Sequence, residues 1–223
     1  VKAFVIVLFG VTVFGANGLA PETRDVAVYS LDGDRHRHAL IPAAHGAVVA
    51  WLHGDRAPLF VAIHDHRRRG VDFRPAKAQP ASWRPNISGR GVAFDRFLLT
   101  ELQPELNRRF GSIKRRYLFG HSLGGFYALD MPTRQAYHGF AGLYAFSPTF
   151  SHDLSLIDRL DMTCANSKNV YMNIGLESAR DTAIFGQAEA ALRRNERCTA
   201  NVHISRHFGV VHQLIMLSGQ IAA

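Results

Sequence analysis

Tyr117-Leu118-Phe119-Gly120-His121-Ser122-Leu123-Gly124-Gly125 is the stretch whose reading decides the fold. An apolar and aromatic run, short enough for a buried strand, ends in Gly-His-Ser-Leu-Gly, and a helical pattern follows from Phe126 to Met131. A serine on such a strand-to-helix turn sits in a strained, exposed position. The glycines two residues before and two after it let the helix and a neighbouring strand approach closely. This arrangement is a nucleophile elbow, with the hydroxyl above the sheet and the first helical N–H groups facing any oxyanion that forms there. A glycine-rich turn that only packs a helix on a sheet would leave the exposed Ser122 unexplained.

Upstream, Asp25–Leu31 (DVAVYSL) reads as a buried strand ending in the turn Asp32-Gly33-Asp34. Residues 44–53 suit a helix. Pro58–Ile63 is a second buried strand, with His64-Asp65-His66-Arg67-Arg68-Arg69 as its polar exit, and such exits are where ligands meet open α/β sheets. Val71–Gly91, interrupted by Pro75, Pro80 and Pro85, is a long loop. Phe94, Leu98, Leu102, Leu106 and Phe110 then lay an apolar stripe on a helix that Pro104 should kink.

Downstream, Gly142–Phe146 and Val170–Gly175 are strands, and Ile184, Ala188, Ala191 and Leu192 mark an amphipathic helix. Ala200–Ser205 is the last strand, Gly209–His212 a loop, and Leu214, Leu217 and Ile221 stripe a closing helix. Strands alternating with helices imply a mostly parallel sheet with helices on both faces.

At 223 residues and 47% hydrophobic, the chain suits one domain. The net charge of +8 is spread along the sequence, so it argues against nucleic acid; it serves either as a surface that concentrates anionic substrates or as ordinary solubilising charge. Residues 1–20 resemble a signal peptide or N-terminal anchor: Lys2, an apolar run from Ala3 to Phe14, then Gly18-Leu19-Ala20. The single domain would span 21–223 of an exported protein, periplasmic or secreted, with no stable membrane span once the leader is removed. A packed N-terminal strand is the alternative for that run. The two cysteines, Cys164 and Cys198, each precede a strand-like run and suit a disulfide in such a compartment.

A serine hydroxyl needs a base, and His212 follows the last strand, giving the chain order Ser…acid…His. His207 is a rival, His203 reads as a packed strand residue, and His121 beside the serine shapes the pocket wall. The acid is Glu177 at a strand exit, or Asp181 close behind, unless both are helix-start carboxylates and Ser122 works with His212 as a pair. Oxyanion donors are the backbone N–H groups of Leu123 and Asp34. His64-x-His66 with His36 and His38 completes no ligand cluster, so neither metal nor cofactor is implied.

These residues resemble the putative esterase family, α/β-hydrolases that include esterase D, the antigen 85 mycolyltransferases and the enterochelin or salmochelin esterases. The likeness runs from Asp25 onward, through VYSLDGD, Arg69-Gly-Val-Asp72-Phe-Arg-Pro75, FDRFLLTELQPEL, YLFGHSLGGFYALD and AFSPTF. It implies a serine esterase that cleaves carboxylic esters or lactones through an acyl-enzyme, with exported siderophore esterases the nearest subgroup. It further implies that Arg69, and less directly Arg68, meet an anionic small-molecule substrate. Members carry two more strands ahead of DVAVYSL. A leader-like segment takes their place here, so those strands are expected to be missing. Acyl transfer to another hydroxyl, or ligand binding without chemistry, are the other functions this fold could serve.

Overall fold

Every residue of Leu59–Ile63 and of Val26–Tyr29 is buried, as strands covered on both faces require, which is why these runs are apolar without alternation. The computed structural model describes residues 3–8, 11–16, 25–31, 59–64 and 68–211. They form one sheet from β1 (Ala3–Leu8), β2 (Val11–Ala16), β3 (Val26–Ser30), β4 (Leu59–Ile63), β5 (Arg115–His121), β6 (Gly142–Phe146), β7 (Val170–Leu176) and β8 (Val202–Val211). The strand order is β1-β2-β4-β3-β5-β6-β7-β8. β2 runs antiparallel to β1 and β4, and all pairings from β4 to β8 are parallel.

Two expectations change at the ends of the sheet. The apolar run read as a leader contains β1 and β2, so the strands expected to be missing ahead of β3 are supplied by residues 3–16. An apolar stretch of that length serves equally as a leader core or as two short strands, and here β2 pairs with β4 from Val11↔Ile63 to Phe14↔Phe60. At the other edge, Gly209–Val211 is strand rather than loop. β8 continues past an irregularity at Ile174/Leu176 until Val211 pairs with Leu176.

The helices are α1 (Arg69–Asp72), α2 (Gly91–Arg96), α3 (Gln103–Phe110), α4 (Leu123–Arg134), α5 (Leu160–Asn166), α6 (Ala179–Arg193) and α7 (Glu196–Asn201). Between α2 and α3, Phe97–Leu102 forms a π-helical turn immediately ahead of Gln103-Pro104. Pro104 has no N–H to donate and its ring would meet the carbonyl four residues back, so the widened turn takes the place of the expected kink. The stripe Phe94, Leu98, Leu102, Leu106 and Phe110 is buried throughout, with Leu98 and Leu106 at 0% exposure. The loop expected from Val71 to Gly91 is irregular apart from the end of α1 and Gly91, which opens α2. The helices expected at 44–53 and after His212 lie outside the described residues.

A buried chain of charges ties these pieces together. Asp95 on α2 accepts from Tyr127 Oη at 2.7 Å and from Arg134 Nε and Nη2 at 2.9 and 3.1 Å. Arg134 also pairs with Asp130 one turn earlier on α4, and Arg159 bridges Asp130 at 2.9 Å to Asp153 at 3.3 Å. Burial, then the Asp95 carboxylate, raise the Tyr127 phenol well above its ordinary pKa, so it serves as a permanent donor.

Cys164 on α5 and Cys198 on α7 form a disulfide, joining the helices that lead into β7 and β8.

Candidate active site

Ser122 stands between β5 and α4 with φ 56° and ψ −117°, in the left-handed half of conformational space that a non-glycine residue enters only under constraint. Its N–H donates to Phe146 O at 2.9 Å, while its carbonyl accepts from Phe126 N at 3.0 Å and Thr149 N at 3.2 Å. The turn is therefore held from both neighbouring segments. Gly120 is sterically required, since a Cβ on it would lie 2.1 Å from Gly124 O, and a Cβ on Gly125 would press on Phe146 O at 3.0 Å. Ser122 is half-buried, rather than fully exposed as expected, between the buried His121 and Leu123.

Its Oγ lies 3.0 Å from Oγ1 of the buried Thr149, which follows the strand exit Ser147-Pro148. Ser147 too has a positive φ, 42°, so β6 ends in a second constrained turn beside the elbow. Leu123 opens α4, and its N–H is one of the first-turn donors that a helix leaves without an intrahelical partner. Asp34, expected to supply the second oxyanion donor, lies outside the described residues, as does His212.

A cavity of about 350 Å³ opens at this point, lined by Ser122, Ser147, Pro148, Thr149 and His152 from one side and by Ile174, Glu177 and Asp181 from another, with Arg69 and Arg84 completing the wall. The two candidate acids differ in their surroundings. Asp181 accepts from Ser151 Oγ at 3.0 Å and Ser178 Oγ at 2.8 Å and lies 3.8 Å from Arg84, while Ser178 accepts from its N–H. Ser178 is thus the N-cap of α6, its hydroxyl accepting from the N–H of Asp181 and donating to its carboxylate. Glu177 faces the same cavity from the exit of β7, next to Leu176, whose strand partner Val211 immediately precedes His212.

The remaining candidates separate clearly. Arg69 lines the cavity and donates to His121 O at 3.5 Å. Arg68 does not line it; its side chain is 58% exposed and lies 3.5 Å from Asp72. His121 is buried outside the cavity lining. His207, the rival base, hydrogen-bonds Ser205 Oγ at 3.0 Å and Tyr171 Oη at 3.4 Å, and His203 stacks on Tyr171 with ring centroids 5.5 Å apart. Among the described residues no group of His, Cys, Asp or Glu is placed to hold a metal. Of the four histidines weighed as ligands, His36, His38 and His66 are not described.

Arg84, Thr149 and His152 are cavity residues that the sequence reading did not single out. The exit of β6, Ser147-Pro148, was the available signal for two of them, since ligands collect at the carboxyl ends of parallel strands.

Comparison with known proteins gives a family match and a set of similar folds. The model of the family described as "Putative esterase" matches residues 17–207. The BES protein from Bacillus cereus superposes with a TM-score of 0.74 at 19% identity, over 97% of this chain and 90% of that one. The siderophore hydrolase EstA from Aspergillus nidulans gives 0.71 at 17% identity, over 98% and 91%. An IroE-like serine hydrolase from Shewanella oneidensis gives 0.75 at 16% identity, over 98% and 77%. No curated protein sequence matches.

Proposed function

Because the chain belongs to the putative esterase family and is a serine ester hydrolase, we propose that it opens esters or lactones of anionic, siderophore-like molecules through an acyl-enzyme on Ser122. The carrying observation is the strained Ser122 at the wall of a cavity of about 350 Å³. In this reading Ser122 Oγ attacks the ester carbonyl as His212 takes its proton. The N–H groups of Leu123 and Asp34 receive the oxyanion, and Glu177 orients the imidazole. The C–O bond breaks, and the departing alkoxide takes the proton from His212. A water, deprotonated by the same histidine, then releases the acid and restores the serine. The anionic substrate is supported by Arg69 and Arg84 in the cavity wall and by the siderophore hydrolases among the similar folds.

The test is a p-nitrophenyl acetate burst followed by mass spectrometry after an organophosphate. One adduct on Ser122 is expected, with Ser122→Ala losing at least about 1000-fold in kcat. An unmodified Ser122 in active protein would overturn the reading.

We also propose that the protein is exported, periplasmic or secreted, which the disulfide supports, because such bonds persist in oxidising compartments. N-terminal sequencing of the exported protein discriminates between the two readings of residues 1–20. A start near Pro21 makes them a leader, and retention makes β1 and β2 part of the working sheet.

A further inference from the structure

His152 ends the short 3₁₀ turn Phe150–His152 and lines the same cavity as Ser122. Behind it lies Arg74, only 3% exposed, with Nη2 against the ring's Nδ1. A guanidinium has donors and no acceptor, so Nδ1 must present its lone pair, and the ring proton of neutral His152 sits on Nε2. Burial first, then the positive charges of Arg74, Arg84 and Arg69, opposed by Asp181, lower its pKa to about 3. The imidazolium form would set an N–H directly against the arginine. Among the described residues Nε2 has no hydrogen-bond partner.

The segment carrying the ring is fixed. Ser151 O accepts from Ala81 N at 2.9 Å, Ser151 Oγ accepts from Arg84 Nε at 3.1 Å, and Leu154 N donates to Gln79 O at 2.7 Å. The buried carboxylate of Asp153 accepts from Gln79 N at 2.9 Å. A donor on a fixed ring, with its other nitrogen occupied, selects by geometry rather than by charge.

We propose that His152 is a specificity-determining residue, a neutral Nε2–H donor locked in one tautomer by Arg74, which binds an acceptor oxygen of the substrate other than the scissile carbonyl oxygen. The favoured esters carry an ether, hydroxyl or carbonyl oxygen close to the bond that is cut. This role rests on the serine esterase reading above and is separate from charge selection by Arg69 and Arg84. A site built to satisfy such an oxygen discriminates against a methylene in the same place, because the donor is then left unpaired.

Two isosteric pairs of esters test it: p-nitrophenyl methoxyacetate against butanoate for the acyl side, and 2-methoxyethyl acetate against butyl acetate for the alcohol side. Taking the kcat/KM ratio within each pair cancels intrinsic reactivity between enzyme variants. His152→Leu is expected to lower the ether preference about tenfold in at least one pair, and His152→Gln, which keeps an N–H donor, to retain most of it. Turnover of all four esters with unchanged ratios would overturn the proposal alone. Turnover of none by the wild-type protein would overturn the esterase reading and the proposal with it. Nitrogen-15 NMR of the wild-type protein gives an arm independent of folding defects in the variants. The Nε2–H tautomer should persist from pH 5 to 8, and an Nδ1–H tautomer or a ring titrating in that range would overturn the proposal.

Discussion

Ser122 holds a conformation that its own side chain disfavours, and the hydrogen bonds of its N–H and C=O to Phe146, Phe126 and Thr149 keep it there. The strain belongs to any residue with a Cβ, so removing the hydroxyl and removing the Cβ have opposite consequences for stability. Ser122→Gly should therefore be more stable than Ser122→Ala by about 1 kcal/mol, after the greater unfolded-state freedom of glycine is subtracted, while both are inactive. Urea denaturation of the two variants measures the difference, and a glycine variant less stable than the alanine variant would mean that the turn is unstrained. Position 122 was legible because the signal is local: five consecutive residues state both the turn and its purpose. His152 was not, because what makes it notable is its contact with Arg74, 78 residues away in the chain. No spacing rule connects the two.

Helices α2 and α4 show which parts of an element the sequence reveals. The stripe from Phe94 to Phe110 could be read from its spacing, since burying one face is what the element must do, and every member is buried. The charges were opaque for the opposite reason. Asp95 has 0% exposure and looks in the sequence like one polar residue on a helix, yet it pairs with Arg134, 39 residues later. Removing Asp95 leaves the Arg134 guanidinium, at 17% side-chain exposure, and the Tyr127 hydroxyl short of their acceptor. Asp95→Leu should cost about 4 kcal/mol, the scale for breaking a buried pair from one side. Asp95→Leu with Arg134→Met should be less destabilised than the sum of the two single changes, because each removes the partner the other strands, while Asp130 keeps Arg159. A thermodynamic cycle from urea midpoints measures this, and simple additivity would show that the pair is not coupled. The leader-like run is ambiguous for a related reason. Apolar residues from Ala3 to Phe14 satisfy a leader core and a pair of strands alike, and their pairing with β4 adds the strand reading without removing the other.

Across the whole molecule, the six-stranded parallel part of the sheet depends on connections that bring residues distant in the chain to one edge. β7 and β8 deliver Glu177 and the approach to His212, and the disulfide between Cys164 and Cys198 joins the helices that precede those strands. The bond closes a loop with a sequence separation of 34 residues. In the chain-entropy account this restricts the unfolded ensemble by about 4 kcal/mol at 25 °C. Both cysteines are almost fully buried, at 2% and 1% exposure, so a reductant acts on them only once the helices part. Brief exposure to a thiol under native conditions should therefore leave ester turnover unchanged. The same thiol added during urea unfolding should shift the midpoint down by an amount equivalent to about 4 kcal/mol. Cys164→Ala with Cys198→Ala should match the reduced protein in stability while retaining turnover, because neither sulfur lines the cavity. An unshifted midpoint on reduction would show that the helix pair is held by packing alone. Loss of turnover in the double variant with native-like unfolding would place the disulfide in the catalytic geometry rather than in the stability of the sheet edge.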